Sequence, residues 1–306
     1  MHACRNLLPD GRWHFQHGPM DLILQADGNP GAVAQAHERA WQRFEGLLQE
    51  LVNELPALRA PVGAVCPLRG RVARRMWDAC MPYRAGFITP MAAVAGAVAQ
   101  EVLRSYAQDG IDRAWVNNGG DIALHLAPDQ SVTVGVYADI ATLDAAQLQG
   151  GLALDGQIRI TSAMPVRGVA TSGWRGRSQS LGIADSVTVL ARTAAQADAA
   201  ATIVANAVDV ADARIVRRPA WQVRDDSDLG AIPVTVDVPV LPEELVRRAL
   251  QQGLQKAQEL QSGGLLWFAL LACQGQLVAT AAPQALAGAV WPQDAVTESE
   301  VGSVFA

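Results

Sequence analysis

The stretch from residue 88 to residue 121 constrains the fold of this chain more than any other. It opens with a run of small residues, ITPMAAVAGAVAQEVL, and ends in the sequence WVNNGGDIAL. Pro90 at its start and Gly110 near its end predict a helix between them. Because alanines and a glycine keep the first half of that helix narrow, another backbone or a ligand can come close to its axis. The run therefore predicts either close packing of a helix against a sheet or one wall of a ligand site.

A glycine-rich turn follows the next strand. Residues 114–117 (AWVN) predict a core strand, Asn118-Gly119-Gly120-Asp121 a sharp turn, and residues 122–126 the strand that continues from it. Two consecutive glycines allow backbone N–H groups to face a ligand, and the Asp121 carboxylate can accept from hydroxyls or approach a cation. Hairpin turns use the same residues, so the turn alone does not separate the two interpretations.

Two later segments carry further polar groups. Residues 168–185 (GVATSGWRGRSQSLGIAD) combine glycines, hydroxyls and guanidinium groups, a composition suited to contact with an anion or nucleotide. The segment TAAQADAAATIVANAV predicts a helix in which Asp198, Thr202 and Asn206 follow each other by one turn on one face. Carboxylate and hydroxyl oxygens at this spacing suit magnesium, although polar groups among alanines can also be exposed or paired internally.

Residues 67–80 (PLRGRVARRMWDAC) predict a second helix that is rich in arginine. It carries Arg69, Arg71, Arg74 and Arg75. Such a cluster can hold a phosphate, but it is more often a solvated or salt-bridged face. The sequence alone favours the solvated or salt-bridged face.

Composition bounds the class of protein. The 306 residues are 50% hydrophobic and 18% charged, enough for a large core in one broad domain or two coupled ones. The net charge of -6 argues against a nucleic-acid binder. The N-terminal segment has no apolar signal-peptide region, the four cysteines are scattered, and no apolar stretch reaches the ~20 residues that cross a bilayer. We therefore predict a cytoplasmic protein with reduced thiols that binds neither nucleic acid nor membranes.

Four segments together resemble a known family. They are GFITPMAAVAGAVAQEVL, WVNNGGDIALHL, GVATSGWRGRSQSLGIADSVTVLA and ADAAATIVANAVD, and they resemble the UPF0280 family, a branch of the ApbE-like flavin-transferase superfamily. The resemblance covers about residues 20 to 240. It implies an α+β, T-fold-type layered fold with two α/β halves and a ligand cleft between them.

The chain is predicted to divide at residue 240. Residues 1–240 form the ApbE-like domain, and residues 241–306 form a C-terminal extension of a helix and a hairpin packed on it. Segments of this β-type can complete a sheet edge or pair with a second subunit, so a homodimer is possible.

The resemblance also implies an activity and its residues. The superfamily's chemistry is magnesium-dependent attack of a target threonine hydroxyl on FAD, with transfer of FMN and release of AMP. By the family's motifs, Asp198, Thr202 and the backbone carbonyl of Ala92 bind Mg²⁺. The residues that contact the cofactor are then Asn118, Gly119, Gly120, Gly173 and Arg177. The catalytic candidates are Asp121, Thr171 and Ser172.

The chain departs from these patterns at several positions. Flavin transferases carry a lysine before the glycine of the small-residue run, where this chain has Ala95, and a DPxTG-type segment that is absent here. UPF0280 relatives commonly have glutamate, cysteine and histidine where this chain has Asn117, Ala170 and Arg177.

Two alternatives to flavin transfer therefore stay open. One is a metal-independent hydrolase or lyase acting on a small metabolite, with Thr171 or Ser172 as the hydroxyl and Asp121 as acid or base. The other is a non-catalytic protein that binds a flavin or another metabolite.

Overall fold

A computed structural model of the chain describes residues 2–136, 156–176 and 178–281. Within these ranges there are thirteen strands and seven α-helices. The strands are β1 (Cys4–Leu7), β2 (Trp13–His17), β3 (Met20–Gly28), β4 (Ile111–Asn118), β5 (Asp121–Leu126), β6 (Ser131–Val136), β7 (Gly156–Thr161), β8 (Gly168–Ser172), β9 (Ser186–Ala191), β10 (Val216–Pro219), β11 (Pro233–Asp237), β12 (Phe268–Cys273) and β13 (Gln276–Ala279). The helices are α1 (Pro30–Val52), α2 (Leu55–Leu58), α3 (Arg71–Cys80), α4 (Val94–Leu103), α5 (Ala194–Ala207), α6 (Ala220–Val223) and α7 (Glu243–Ser262).

Nine of the strands form one antiparallel sheet. Their order is β1-β2-β3-β4-β5-β8-β9-β12-β13, and β6 with β7 and β10 with β11 form two separate ribbons. The hairpin from β4 to β5 has only Gly119 and Gly120 in its loop, and Asn118 pairs with Asp121 across it. Because this loop contains only two residues, it fixes the register in which β4 pairs with β5.

Two halves share this sheet. In the first half, β2, β3 and β4 build a core with α1, α3 and α4. In the second half, β8, β9 and β12 build a core with α5 and α7. A third core joins the ribbon β6–β7 to side chains of β4, β5 and β8. The predicted α+β class with helices on the sheet of each half is confirmed, and pairing of β5 with β8 makes the two halves one continuous sheet.

Local capping decides where the helices start. Asn29 caps α1 as predicted, since its side chain accepts from the N–H groups of Gly31 and Ala32 at 3.0 and 3.2 Å. The arginine-rich helix starts at Arg71, later than the predicted Pro67. The preceding N–H groups of Arg69 and Gly70 donate to the carboxylate of Glu54 instead, which holds that segment outside the helix.

The helix predicted from Pro90 is divided into three pieces. Residues 90–93 and 104–106 are 3-10 turns, and only α4 between them is α-helical. The hydroxyl of Thr89 accepts from the N–H of Met91 at the start of the first turn.

The helix and hairpin predicted after residue 240 are α7, β12 and β13. All six residues of β12 are buried, and the strand lies between β9 and β13 in the main sheet. The hairpin therefore completes one edge of the sheet. The division into domains at residue 240 stays a prediction, and residues 282–306 of the predicted extension lie outside the described residues.

Candidate functional site

Asp121 and Asp198 meet where the two halves of the protein join. Asp121 opens β5 directly after the glycine turn, and Asp198 lies in α5. Asp121 is buried, with 7% of its surface exposed, whereas Asp198 is partly exposed. Desolvation raises the pKa of Asp121 well above its usual range, and the negative charge of Asp198 raises it further. Desolvation also raises the pKa of Asp198 to about 7. The two carboxylates therefore repel each other in a poorly solvated site.

The N-terminus of α4 holds Asp198. Its Oδ2 accepts from the N–H of Gly96 at 2.9 Å, and the backbone of Ala95 provides a second hydrogen bond. The residue at the N-cap position, Ala93, has no side chain that could cap α4, so Asp198 satisfies these N–H groups from a neighbouring helix. These bonds lower the pKa of Asp198, but less than desolvation raises it.

The narrowness of α4 serves helix packing. A Cβ added at Gly96 would lie 2.3 Å from the backbone oxygen of Ala194 in α5, which is closer than any real contact. The predicted close packing is confirmed, and its partner includes a second helix as well as the sheet. This approach brings the N-terminus of α4 within reach of Asp198.

The predicted turn is tight and largely satisfied from within. Gly119 and Gly120 have φ angles of 66° and 110°, which side-chain-bearing residues rarely adopt. The N–H of Gly120 donates to Oδ1 of Asn117 at 2.9 Å, and Nδ2 of Asn118 donates to the backbone oxygen of Ala95 at 3.1 Å. Gly120 and Asn118 were both predicted to contact a cofactor. The bond of Gly120 closes the turn from within, and that of Asn118 fixes the turn to α4.

One oxygen of Asp121 has no partner. Its Oδ1 atom is buried and accepts no hydrogen bond from any described residue. The backbone of Thr171 donates a hydrogen bond to the carboxylate. Leaving a buried acceptor unsatisfied costs about 1–3 kcal/mol unless a proton or ligand occupies it. The orphaned oxygen beside a second carboxylate is the feature of this site that calls for a cation or a proton.

The oxygen set fits magnesium in chemical type. The described residues contain no group of three or more His, Cys, Asp and Glu side chains that could hold a metal. Mg²⁺ commonly uses only one or two carboxylates, with waters and substrate phosphates completing its shell. Thr202 lies one turn after Asp198 and is partly exposed, and its hydroxyl makes no hydrogen bond with a described residue. Ala92 lies in the 3-10 turn that precedes α4.

The third residue of the predicted polar stripe has a different role. Oδ1 of Asn206 accepts from the hydroxyl of Ser180 at 3.1 Å and from the N–H of Leu181 at 2.9 Å. Asn206 thus anchors the loop before β9. The stripe divides between Asp198, which contacts α4, and Asn206, which contacts this loop.

The TSG segment, Thr171-Ser172-Gly173, contacts the carboxylate pair through the backbone of Thr171, which hydrogen-bonds to Asp121. The hydroxyl of Thr171 shares a 3.0 Å hydrogen bond with that of Thr188, and Ser172 is buried. A Cβ at Gly173 would lie 2.3 Å from the oxygen of Asp185, so this glycine is required for packing. In the part of the chain that is described, no histidine hydrogen-bonds to either hydroxyl, so the hydrolase alternative depends on Asp121 as its acid or base. Arg177 lies outside the described residues.

Two groups near the pair had no signal in the sequence. Cys80 is completely buried at the end of α3, and the charges of Asp198 and Asp228 add to burial in raising its pKa. Asp228 accepts a hydrogen bond from the hydroxyl of Thr89. Neither Cys80 nor Asp228 belongs to a motif, and only folding brings them to this site.

Together the fold and the site define an α+β protein with a carboxylate pair at the junction of its halves. The chain belongs to the family described as AbpE bacteria, whose model matches residues 5–279. It also belongs to the UPF0280 family: it is 34% identical over 211 residues to a UPF0280 protein of Methanopyrus kandleri, covering 67% of this chain and 78% of that protein.

Other relatives match over shorter segments. A UPF0280 protein of Methanosarcina barkeri is 38% identical over 200 residues, or 64% of this chain and 72% of that protein. One from Methanothrix thermoacetophila is 39% identical over 138 residues, or 45% of this chain. In that case the chain spans about half of the relative's own length, 52%.

Two solved structures are similar over most of the chain. The apo form of the flavinyl transferase ApbE from Pseudomonas stutzeri has a TM-score of 0.41 and 13% identity, covering 92% of this chain and 93% of that one. The ApbE protein of Thermotoga maritima has a TM-score of 0.45 and 12% identity, covering 91% and 96%. Among the described helices, none is long and apolar enough to cross a membrane.

Proposed function

We propose that this protein is a magnesium-dependent enzyme that binds FAD and transfers its FMN part to a hydroxyl group. The observation that carries the proposal is the pair Asp121 and Asp198, in which Oδ1 of Asp121 is buried and has no hydrogen-bond partner among the described residues. The four motifs that resemble the ApbE-like superfamily supply the class of reaction. The surrounding residues supply the chemistry that such a reaction needs.

Asp121, Asp198 and the hydroxyl of Thr202 would hold Mg²⁺, with the backbone carbonyl of Ala92. The ion would neutralise the pyrophosphate of the bound nucleotide. In the transfer, a bond forms between the hydroxyl oxygen and the phosphorus of FMN, the pyrophosphate bond breaks, and AMP leaves. Both carboxylates would be bound to the ion, so the proton of the attacking hydroxyl would pass to water.

The cofactor would lie along the turn and the TSG segment. Gly119 is exposed at the tip of the turn, and Thr171 is partly exposed at the end of β8. Ala95 stands where the flavin transferases carry a lysine, so this chain would bind the phosphates without that cation. Mg²⁺ would then provide more of the positive charge that neutralises the phosphates.

Calorimetric titration of FAD tests the proposal. In the presence of Mg²⁺ we expect binding that EDTA abolishes, and at least tenfold weaker binding in Asp198→Asn and Asp121→Asn. Asp112→Asn is the matched control, because Asp112 is an exposed carboxylate on β4, away from the site. Incubation with a threonine-containing acceptor peptide should release AMP only with Mg²⁺. FAD binding that is unchanged by EDTA and by both site variants would refute the proposal.

A further inference from the structure

A pocket of about 600 Å³ lies beside the carboxylate site and shares none of the residues proposed for it. Its lining includes five arginines but a single acidic residue, Asp78. The arginines are Arg69, Arg71, Arg74, Arg75 and Arg104. The protein as a whole has a net charge of -6, so this concentration of positive charge runs against its overall balance.

Two of the arginines are held in place from behind. The side chain of Glu101 is fully buried and accepts hydrogen bonds from Arg71, Arg75 and Arg43, those from Arg75 and Arg43 at 3.0 and 2.8 Å. Arg75 also donates to the backbone oxygen of Ala97 at 3.2 Å. One carboxylate thus neutralises one charge of the cluster, and its bonds orient two guanidinium groups at the pocket.

The remaining cations have no protein acceptor. In the described structure, the guanidinium groups of Arg69, Arg74 and Arg104 form neither an ion pair nor a hydrogen bond, and all three residues are exposed. Arg104 and Arg71 add to burial in lowering the pKa of Arg75, which shows that the positive charges repel each other. An anion in the pocket would relieve this repulsion.

The wall opposite α3 is also suited to an anion. Thr193, Ala195 and Gln196, at the N-terminus of α5, line the pocket, and this helix end carries the positive pole of the helix dipole. Gln100 on α4 completes the wall.

We propose that this arginine pocket binds a small molecule with two or more adjacent phosphate groups. Guanidinium groups bind phosphate oxygens in pairs of parallel hydrogen bonds, which a single phosphate could satisfy for only some of five arginines. The volume is within the range of pockets for small ligands, about 300–1,000 Å³. The predicted solvated or salt-bridged face is confirmed, since Arg71 and Arg75 pair with Glu101 and Arg69 and Arg74 are exposed. The fold in addition gathers these arginines into a pocket at a helix N-terminus.

Titration with inorganic phosphates tests this inference on the full chain in EDTA. We expect pyrophosphate and tripolyphosphate to bind at least tenfold more tightly than orthophosphate, with affinity falling as salt rises. The double variant Arg74→Ala/Arg104→Ala should weaken pyrophosphate binding at least tenfold, and Arg74→Lys/Arg104→Lys by less. Arg248→Ala is the matched control, because Arg248 is an exposed arginine on α7 that makes no contact with the pocket.

Each outcome decides the matter. Neither Arg74 nor Arg104 has an acceptor among the described residues, so thermal unfolding should show both double variants folded. If the alanine variant does not fold, the lysine variant is tested instead. Pyrophosphate binding no tighter than orthophosphate binding, or unchanged in the folded double variant, would overturn the proposal. If ADP binds more tightly than pyrophosphate, the ligand is a nucleotide. If ADP and pyrophosphate bind equally, the ligand is an inorganic polyphosphate. Asp198→Asn should leave pyrophosphate binding intact, which separates this inference from the proposed flavin transfer.

Discussion

At the scale of single residues, the environment of Asp198 decides its chemistry. In an unfolded chain an aspartate has a pKa near 3.8, whereas desolvation in the folded protein raises the pKa of Asp198 to about 7. The folded state therefore binds more protons than the unfolded state between these two values, and its free energy of unfolding falls as pH rises from about 4 to about 7. Holding the carboxylate pair in this site therefore lowers the free energy of unfolding at neutral pH.

Replacing Asp198 should remove its share of this pH dependence. Asp198→Asn keeps an oxygen that can accept from α4 and removes the charge, so we expect it to raise the free energy of unfolding above pH 7 by on the order of 1–3 kcal/mol. At pH 4 the variant and the unmodified protein should differ little. Urea unfolding at a series of pH values measures this. If the free energy of unfolding changes with pH equally in Asp198→Asn and in the unmodified protein, the raised pKa is not that of Asp198. The control Asp112→Asn should leave this pH dependence unchanged.

At the scale of elements, contact between α4 and α5 builds the site. Gly96 lets the backbones approach so closely that a Cβ would lie 2.3 Å from the oxygen of Ala194. A Cβ added at Gly168 would lie 2.2 Å from the backbone nitrogen of Ala194, so this glycine lets α5 pack closely on β8 in the same way. The two glycines hold α5 against both halves, and Asp198 reaches the N-terminus of α4 as a result.

Adding one methyl group at Gly96 should therefore be costly. Gly96→Ala requires the two helices to separate, and we expect a loss of about 1–3 kcal/mol in the free energy of unfolding, or more. Gly46→Ala is the matched control, since Gly46 lies in α1 with nothing within 4 Å of its added Cβ. That variant should gain about 0.5–1 kcal/mol, because alanine favours the helix. If both substitutions change the free energy of unfolding similarly in urea, the close approach of α4 and α5 at Gly96 does not determine the stability.

At the scale of the whole molecule, the sheet joins the segments before and after residue 240. β12 pairs with β9 along five residue pairs, from Phe268–Leu190 to Ala272–Ser186. The core of the second half includes Leu250 of α7 and Leu271 of β12, both buried. Residues from both sides of residue 240 therefore share the core of the second half.

A truncated chain tests this dependence. We expect residues 1–240 alone to lose cooperative thermal unfolding, because β9 would become an unpaired edge and the core beneath α5 would be exposed. A chain that ends at residue 281 retains every described strand and helix and is the control. Circular dichroism with thermal melting compares them. A cooperative transition in the shorter chain would support an independent domain that ends at residue 240.

Much of the local structure could be predicted because its causes are local. Asn29 followed by Pro30 marks the start of α1, and consecutive glycines mark the turn between β4 and β5. The start of α3 could not be predicted, because Glu54 binds the N–H groups before it from another element. The same limit applied to the site: the sequence proposed Asp121 and Asp198 separately through motifs, but not Cys80 beside them.

By itself, the sequence determined the types of element and the narrow helix, because side-chain periodicity, capping and glycine conformation act within a few residues. The α+β class followed from the resemblance of its four motifs to a known family. Only the tertiary structure decided which polar groups meet. It placed Asp121 beside Asp198, left one of their oxygens without a partner, and turned a row of arginines into a pocket at the end of α5. Desolvation and charge repulsion depend on neighbours that are distant along the chain, so these properties appear only when the halves pack together.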